Sequence, residues 1–417
     1  MSIVKRGTFR HPKGDSPLFP AGLDLYVGLD GGNTLTKVWV KFADGTESFS
    51  VMPSLVAPGS WSDLVEMRAG TRKTQTSAEK DIVISYGGIE YFAGALAAAQ
   101  LQEASTGRGD ALRYASPEAL LRCLAAVGVV VEEYETEMQQ ERLRSGYGAR
   151  RDTEEPTFFP VIHLAVCSSV PVRYYTHANR HAIRTRFEGT HECVVNGKTR
   201  TFHLSYQETV MEGGGLEILV AELPGCDLAD PSDTVILDGG GDTVDFVRLS
   251  TEDVLYEQCG TLRCGVERIG DLLSNFMQRD YHRALSPRER QAILDGFVRF
   301  RDRGRLETAY PALAIDPSER ESVPKEQVHR WVEVARRQVA RQVISKASAL
   351  WGASHGKVAP DVLRGHAFFI GGATYLLDDL ITAAMPQLLI PPQPELANAR
   401  ANAAIAQALA EGTEYAK

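Results

Sequence analysis

The chain has 417 residues, 43% hydrophobic and 24% charged, with a formal net charge of -9 and a pI of about 5.7. That is the composition of an ordinary globular protein, and the length suffices for two or three domains. The acidic balance excludes a protein that binds nucleic acid over its whole surface and leaves only a local basic patch.

Residues 1–22 carry Pro12, Pro17 and Pro20 among basic groups without periodicity, which predicts a mobile arm. They include no apolar core of a secretion signal, and the longest apolar run, residues 124–131, is too short to span a bilayer. The six cysteines, at 123, 167, 193, 226, 259 and 264, show no CxxC pair or metal-ligand spacing. They read as small buried apolar groups of a reducing cytoplasm.

Strands are predicted at residues 25–29, 38–40, 47–51, 81–86 and 89–92, with a Gly87-Gly88 turn between the last two. Residues 93–102 read as helical, and a second helix opens at Ser116 with Pro117 in its first position. Residues 142–156 read as a charged surface loop. A second β-rich unit is expected from Phe158, with a buried strand at 161–166 and an Asn196-Gly197 hairpin. Val266, Ile269, Leu272, Leu273 and Phe276 mark one face of a helix. A long helix is predicted over 327–351, its polar face carrying Arg330, Arg336, Arg337 and Arg341. A buried strand at 367–370 then runs through Gly371-Gly372-Ala373-Thr374 into a last predicted helix.

The most informative feature is a near-repeat. Asp30-Gly31-Gly32-Asn33-Thr34-Leu35-Thr36-Lys37 and Asp238-Gly239-Gly240-Gly241-Asp242-Thr243-Val244-Asp245 each stand between two apolar strand-like runs. Each reads as a β-hairpin with glycines at its tip, where backbone N–H groups can approach an anion closely. Two such hairpins facing each other would clamp a triphosphate. The duplication predicts two similar α/β units around a cleft. The expected division is residues 1–22 as the arm, 23–157 with 366–417 as one domain, and 158–365 as the other.

The order of these hairpins and the late Phe369-Ile370-Gly371-Gly372-Ala373-Thr374 turn resembles the actin-like ATPases, which include actin, MreB, heat-shock chaperone ATPases and sugar kinases. The motifs correspond to that superfamily's phosphate-1, phosphate-2 and adenosine elements. Tyr91-Phe92-Ala93-Gly94, Met211-Glu212-Gly213 and the Cys264-to-Gly270 helix start resemble most the ParM/StbA plasmid-segregation actins and their archaeal relatives. The resemblance spans roughly residues 24–410. It implies an α/β, ribonuclease H-like fold that holds ATP or ADP with Mg2+ between two domains.

The resemblance also implies roles. Asp30 and Asp238 would hold Mg2+ through water, and Lys37 would bind phosphate. Glu212 would orient the attacking water, with Asp30 and Asp238 completing the catalytic set. Gly31, Gly32, Asn33, Thr34, Gly239, Gly240, Gly241, Asp242 and Thr243 would contact phosphates, while Asp245 braces the second hairpin. Gly265, Glu267, Arg268, Gly371, Gly372 and Ala373 would surround the nucleoside. Asn33 stands where these families usually place serine, which alters the contact to a γ-phosphate.

Blander readings exist. A lone Gly-Gly hairpin with an exposed lysine is common, and Glu212 could be a surface carboxylate before three glycines. His177 and His181, four apart, with His191 and Cys193 nearby, fit a solvated helix face better than a zinc site. The arginine face at 330–341 fits solvated charge, with a subunit or DNA contact as the other reading. Functionally the resemblance implies a cytoplasmic, head-to-tail filament of self, disassembling after hydrolysis, with a DNA-binding adaptor as cargo link and no membrane. The rival is a non-polymerising small-molecule kinase or regulatory ATPase.

Overall fold

The computed structural model of the chain describes residues 23–60, 62, 82–100, 111–144, 158–220, 233–250, 254–315, 321–354, 357–358 and 366–412. The expected N-terminal arm, residues 145–156 of the expected loop, and Cys226 lie outside the described residues.

Hydrophobic strands β1 (Leu23–Gly31), β2 (Leu35–Phe42), β3 (Glu47–Pro53) and β4 (Val56–Pro58) open the chain. The pair β5 (Ile82–Tyr86) and β6 (Ile89–Ala93) follows, joined through Gly87 and Gly88, both at positive φ. Helix α1 (Pro117–Arg144) starts as expected, with Ala119 N–H donating to Ser116 Oγ at 3.2 Å. Next come β7 (Val161–Val170), α2 (His177–Phe187), β8 (Gly189–Val195) and β9 (Lys198–Met211). Asn196 and Gly197, both at positive φ, make the tight turn between β8 and β9.

These strands form a nine-stranded sheet in the order β3-β2-β1-β7-β9-β8-β5-β6-β4. A four-stranded sheet contains β12 (Gly260–Leu262), β11 (Val244–Ser250), β10 (Asp233–Gly239) and β13 (His366–Ile370), in that order. In each sheet the first strand of a glycine hairpin also pairs in parallel with a later strand, β1 with β7 and β10 with β13. The two halves are thus built on one plan.

The expected boundary at 157/158 does not follow the sheets. Leu23 to Asp30 pairs with Ile162 to Ser169, so β7 to β9 belong with the first hairpin. Conversely β13, expected in the first domain, completes the second sheet. The cause is parallel pairing: a strand joins its neighbour through a long crossover, so a chain-order cut separates strands that hydrogen-bond.

The second unit packs α3 (Val266–Tyr281), α4 (Pro287–Arg303), α5 (Lys325–Trp351) and α6 (Thr374–Ala384) around one core. Arg336 corrects the expected polar face of α5. It is buried, its guanidinium lies 4.2 Å from the Phe297 ring centroid, and it bonds Glu333, Asp379 and the Leu376 carbonyl.

Helix α7 (Ala397–Ala410) returns to the first sheet. A Cβ at Gly28 of β1 would lie 1.8 Å from the Ala399 carbonyl oxygen, so glycine and an alanine-rich helix permit this close contact. A small core of Leu216, Leu219, Ile236, Phe368, Ala397 and their neighbours lies where α7 meets the second sheet.

Candidate functional site

Both hairpins form with their aspartates at the strand ends. In the first, Asp30 stands opposite Lys37 and Gly31 opposite Thr36. Directly opposed residues share a face, and Lys37 Nζ lies 2.7 Å from Asp30 Oδ2. In the second, Asp238 stands opposite Asp245, and Gly240 N–H donates to the Thr243 carbonyl at 2.8 Å to close the tip.

The tips meet. Asn33 Nδ2 donates to Asp242 Oδ2 at 3.3 Å, and Thr34 Oγ1 donates to Glu267 Oε1 at 3.0 Å. A Cβ on Gly241 would come within 2.5 Å of Thr34 Oγ1. Gly32 is equally constrained, since a Cβ there would lie 2.8 Å from the Leu35 carbonyl oxygen.

Beneath the tips lie four carboxylates. Asp30, Glu212, Asp238 and Asp245 keep only 1–8% of their surface exposed, which rules out the surface reading of Glu212. Burial, then the charges of Asp245, Asp238 and Asp30, push Glu212 well above the usual carboxylate range, against the pull of Lys37. Burial raises Asp238 to about 7 and Asp245 to about 6. For Lys37, burial opposes the charged form, but Asp30, Asp238 and Glu212 together hold its pKa above the usual value.

Asp245 braces its hairpin, accepting hydrogen bonds from Thr243 Oγ1 at 3.0 Å and Thr261 Oγ1 at 2.5 Å. The Thr243 hydroxyl is therefore turned onto Asp245 here, not outward as a contact for an anion.

The remaining expected residues divide. Gly371, at φ +86°, sits against Asp238: a Cβ there would lie 2.4 Å from Asp238 Oδ1 and from the Gly239 carbonyl oxygen. Ala373 N–H donates to the same Gly239 carbonyl at 2.8 Å, whereas a Cβ on Gly372 would meet nothing within 4 Å among the described residues. Gly265 lies against the second hairpin, and the N–H groups of Gly265, Val266 and Glu267 donate to carbonyls of Asp242, Gly240 and Gly241. The first turn of α3 thus anchors the hairpin, and Arg268 is exposed. His177 and His181 lie on the exposed side of α2, while His191 is buried between Tyr86 Oη and the Phe187 carbonyl.

Sequence reasoning missed two asparagines of α7. Asn398 Nδ2 donates to Asp238 Oδ2 at 2.6 Å while its Oδ1 accepts from Gly213 N–H at 2.8 Å, tying Glu212's loop to the second hairpin. Asn402 Nδ2 donates to the Leu29 carbonyl at 3.0 Å and to Ser169 Oγ at 3.1 Å. The available signal was two asparagines four apart in an otherwise alanine-rich helix, where asparagine is a poor helix former.

Residues 28–215 match the family model described as the actin-like proteins' N-terminal domain. The chain has the actin-like fold. It superposes on the archaeal actin homolog Ta0583 with a TM-score of 0.59 at 19% identity, covering 92% of this chain and 99% of that one. A 15-stranded ParM filament from Clostridium botulinum matches with a TM-score of 0.60 at 14% identity, over 93% and 99% of the two chains. Bacillus thuringiensis ParM with AMPPNP matches at 0.55 and 13%, over 92% and 98%. These likenesses carry the two-unit fold. No curated protein sequence matches the chain. Among the described residues, no helix is long and apolar enough to cross a membrane.

Proposed function

We propose that this actin-like chain binds Mg-ATP between its two glycine hairpins, hydrolyses it, and assembles head to tail in the nucleotide-bound state. The observation that carries the reading is the convergence of Asp30, Lys37, Glu212 and Asp238, drawn from separate strands and a loop, into one buried cluster under two facing hairpins. Ta0583 solved in complex with ADP and Bacillus thuringiensis ParM with AMPPNP support a nucleotide as the ligand class.

The donor set fits a hydrated Mg2+. It is all oxygen, and carboxylates outnumber the lysine, so the cluster calls for a hard cation. Among the described residues no three ligands come close enough to grip a metal directly, which suits Asp30 and Asp238 acting through water. Among the described residues Asn33 Oδ1 is buried without a hydrogen-bond partner, an acceptor ready for such water. When bound, the Mg-nucleotide supplies the phosphoryl group and its counter-charge. Lys37 would hold anionic oxygens beside the first hairpin. Glu212, its proton affinity raised by burial and by the neighbouring carboxylates, would orient a water and accept its proton.

Assembly follows the same logic. Hairpins from two units gripping one ligand couple its presence to the angle between the units, and a heterologous contact between closed units propagates as a filament. The ParM filament supports self-association as the partner class. A cytoplasmic role in DNA or plasmid segregation through a DNA-binding adaptor completes the reading. Calorimetry with ATP, with and without Mg2+, tests the site: equal affinity in wild type and Asp238→Ala under both conditions overturns it. Light scattering and electron microscopy with ATP, AMPPNP and ADP test assembly, for which a monomer in all three is the contrary result.

A further inference from the structure

Behind the first hairpin lies a small cavity of about 10 Å3. That is room for one water-sized particle. Its lining includes Gly31, Thr36, Tyr114, Arg122, Ser168 and Ser169.

The hydrogen-bond accounting of this lining is lopsided. Arg122 donates from Nη1 to the Ser54 carbonyl at 3.4 Å, but among the described residues its buried Nε–H has no partner. Ser169 Oγ accepts from Asn402, which among the described residues leaves the serine's own hydrogen free to donate. The Thr36 hydroxyl is engaged with Ser54 Oγ, which itself donates to the Gly32 carbonyl. Two of the lining residues therefore hold donors to spare.

The charge is lopsided too. Arg113 stands beside the lining, its guanidinium 4.3 Å from the Tyr114 ring centroid and bonded to Tyr114 Oη and the Gly31 carbonyl. Among the described residues neither Arg113 nor Arg122 forms an ion pair with a carboxylate. Glu118, one turn before Arg122 on α1, is the acid that acts on it, and Glu118 is solvent-exposed. Burial first, and then repulsion from Arg113, lower the Arg122 pKa to about 10.

We propose that this cavity is a binding site for a single-atom monovalent anion, chloride in the cell, held by Arg122 Nε–H and the Ser169 hydroxyl and offsetting the charge of Arg113 and Arg122. A water molecule would accept the same two hydrogen bonds but add no negative charge beside the two arginines. Orthophosphate is too large for the volume. Gly31 lines this cavity and is also among the proposed nucleotide contacts, whereas Arg122 and Ser169 are not, so binding of the anion is tested without nucleotide.

The test uses the full-length chain without nucleotide. Melting temperature is compared in sodium chloride and sodium gluconate at equal ionic strength, which separates specific binding from screening. The expected result is a melting point higher in chloride by about 2 °C or more, with the difference lost in Arg122→Gln. Crystals grown in bromide should give an anomalous peak between Arg122 and Ser169, a readout on the wild type that stands even if the variant fails to fold. A neutral water at that position in bromide overturns the proposal. So does a chloride–gluconate difference that persists undiminished in Arg122→Gln.

Discussion

Asp238 and Asp245 stand directly opposite one another across the second hairpin, where the first hairpin pairs Asp30 with Lys37. Like charges in opposed positions repel, and here both are buried. Neutral donors from Thr243, Thr261 and Asn398 offset part of that cost. The second hairpin is therefore built to receive a proton or a cation.

The first consequence is a pH dependence of the metal-free chain. Asp238 and Asp245 have folded-state pKa values raised to about 7 and about 6. A carboxylic acid raised on folding binds more protons folded than unfolded, so stability falls as pH rises from the unfolded value toward the folded one. The loss should run from about pH 4 to pH 7 and amount to a few kcal/mol. Glu135, Glu289 and Asp378, all lowered by arginine and hydrogen-bond partners, act oppositely and cause loss at lower pH. Denaturation in EDTA should show maximal stability near pH 4, and Asp238→Asn should flatten the descending limb. A wild-type profile that keeps rising through pH 7 would contradict the cluster's electrostatics.

Glu212 should separate binding from turnover. Glu212→Gln removes the proton acceptor while keeping the side chain's size, so ATP should still bind. Turnover should fall at least tenfold, a barrier rise of about 1.4 kcal/mol or more. The same variant should gain stability relative to the wild-type metal-free chain as pH rises, because glutamine cannot acquire a buried negative charge. Unchanged turnover would move the water-orienting role to another residue.

Arg336 provides a test away from the site. Arg336→Ala leaves a void beside Phe297 and strips partners from Glu333 and the Leu376 carbonyl. A loss of about 3–5 kcal/mol in urea denaturation is expected, with Arg336→Met losing clearly less because it refills the volume. Equal losses would show that the arginine's charge, and not its packing, holds α5 in place.

The sequence made the two hairpins legible because their chemistry is local: a glycine tip needs only neighbouring residues. The same holds for the Asn196-Gly197 turn and the Ser116 cap. What it hid was set by distant pairing. Nothing near Val161 says that β7 will lie beside β1, so the domain division went astray. Arg336 looked like its neighbours Arg337 and Arg341 because helical periodicity does not show which arginine meets Phe297 and Asp379 across the core. Asn398 reaches Asp238 from 160 residues away, and a hydrogen bond at that separation leaves no local pattern.

Asp242 carries the last prediction. It was expected among the phosphate contacts, yet its carboxylate sits at the tip, accepting from Asn33 Nδ2 across the gap between hairpins. A triphosphate entering between the tips must take Asn33 away from Asp242 and bring its own negative charge beside that carboxylate. Both effects oppose binding. Asp242→Asn keeps the shape and removes the repulsion, so affinity for ATP should rise, by on the order of 1 kcal/mol or about fivefold for a half-exposed charge. The backbone role of residue 242, whose carbonyl accepts from Gly265 N–H at 3.0 Å, survives the change. Calorimetric titration of wild type and Asp242→Asn at low and high salt measures it. The gain should shrink as salt screens the charge. Weaker binding in the variant would instead show that the Asp242 carboxylate itself helps hold the ligand, through a cation shared with the phosphates.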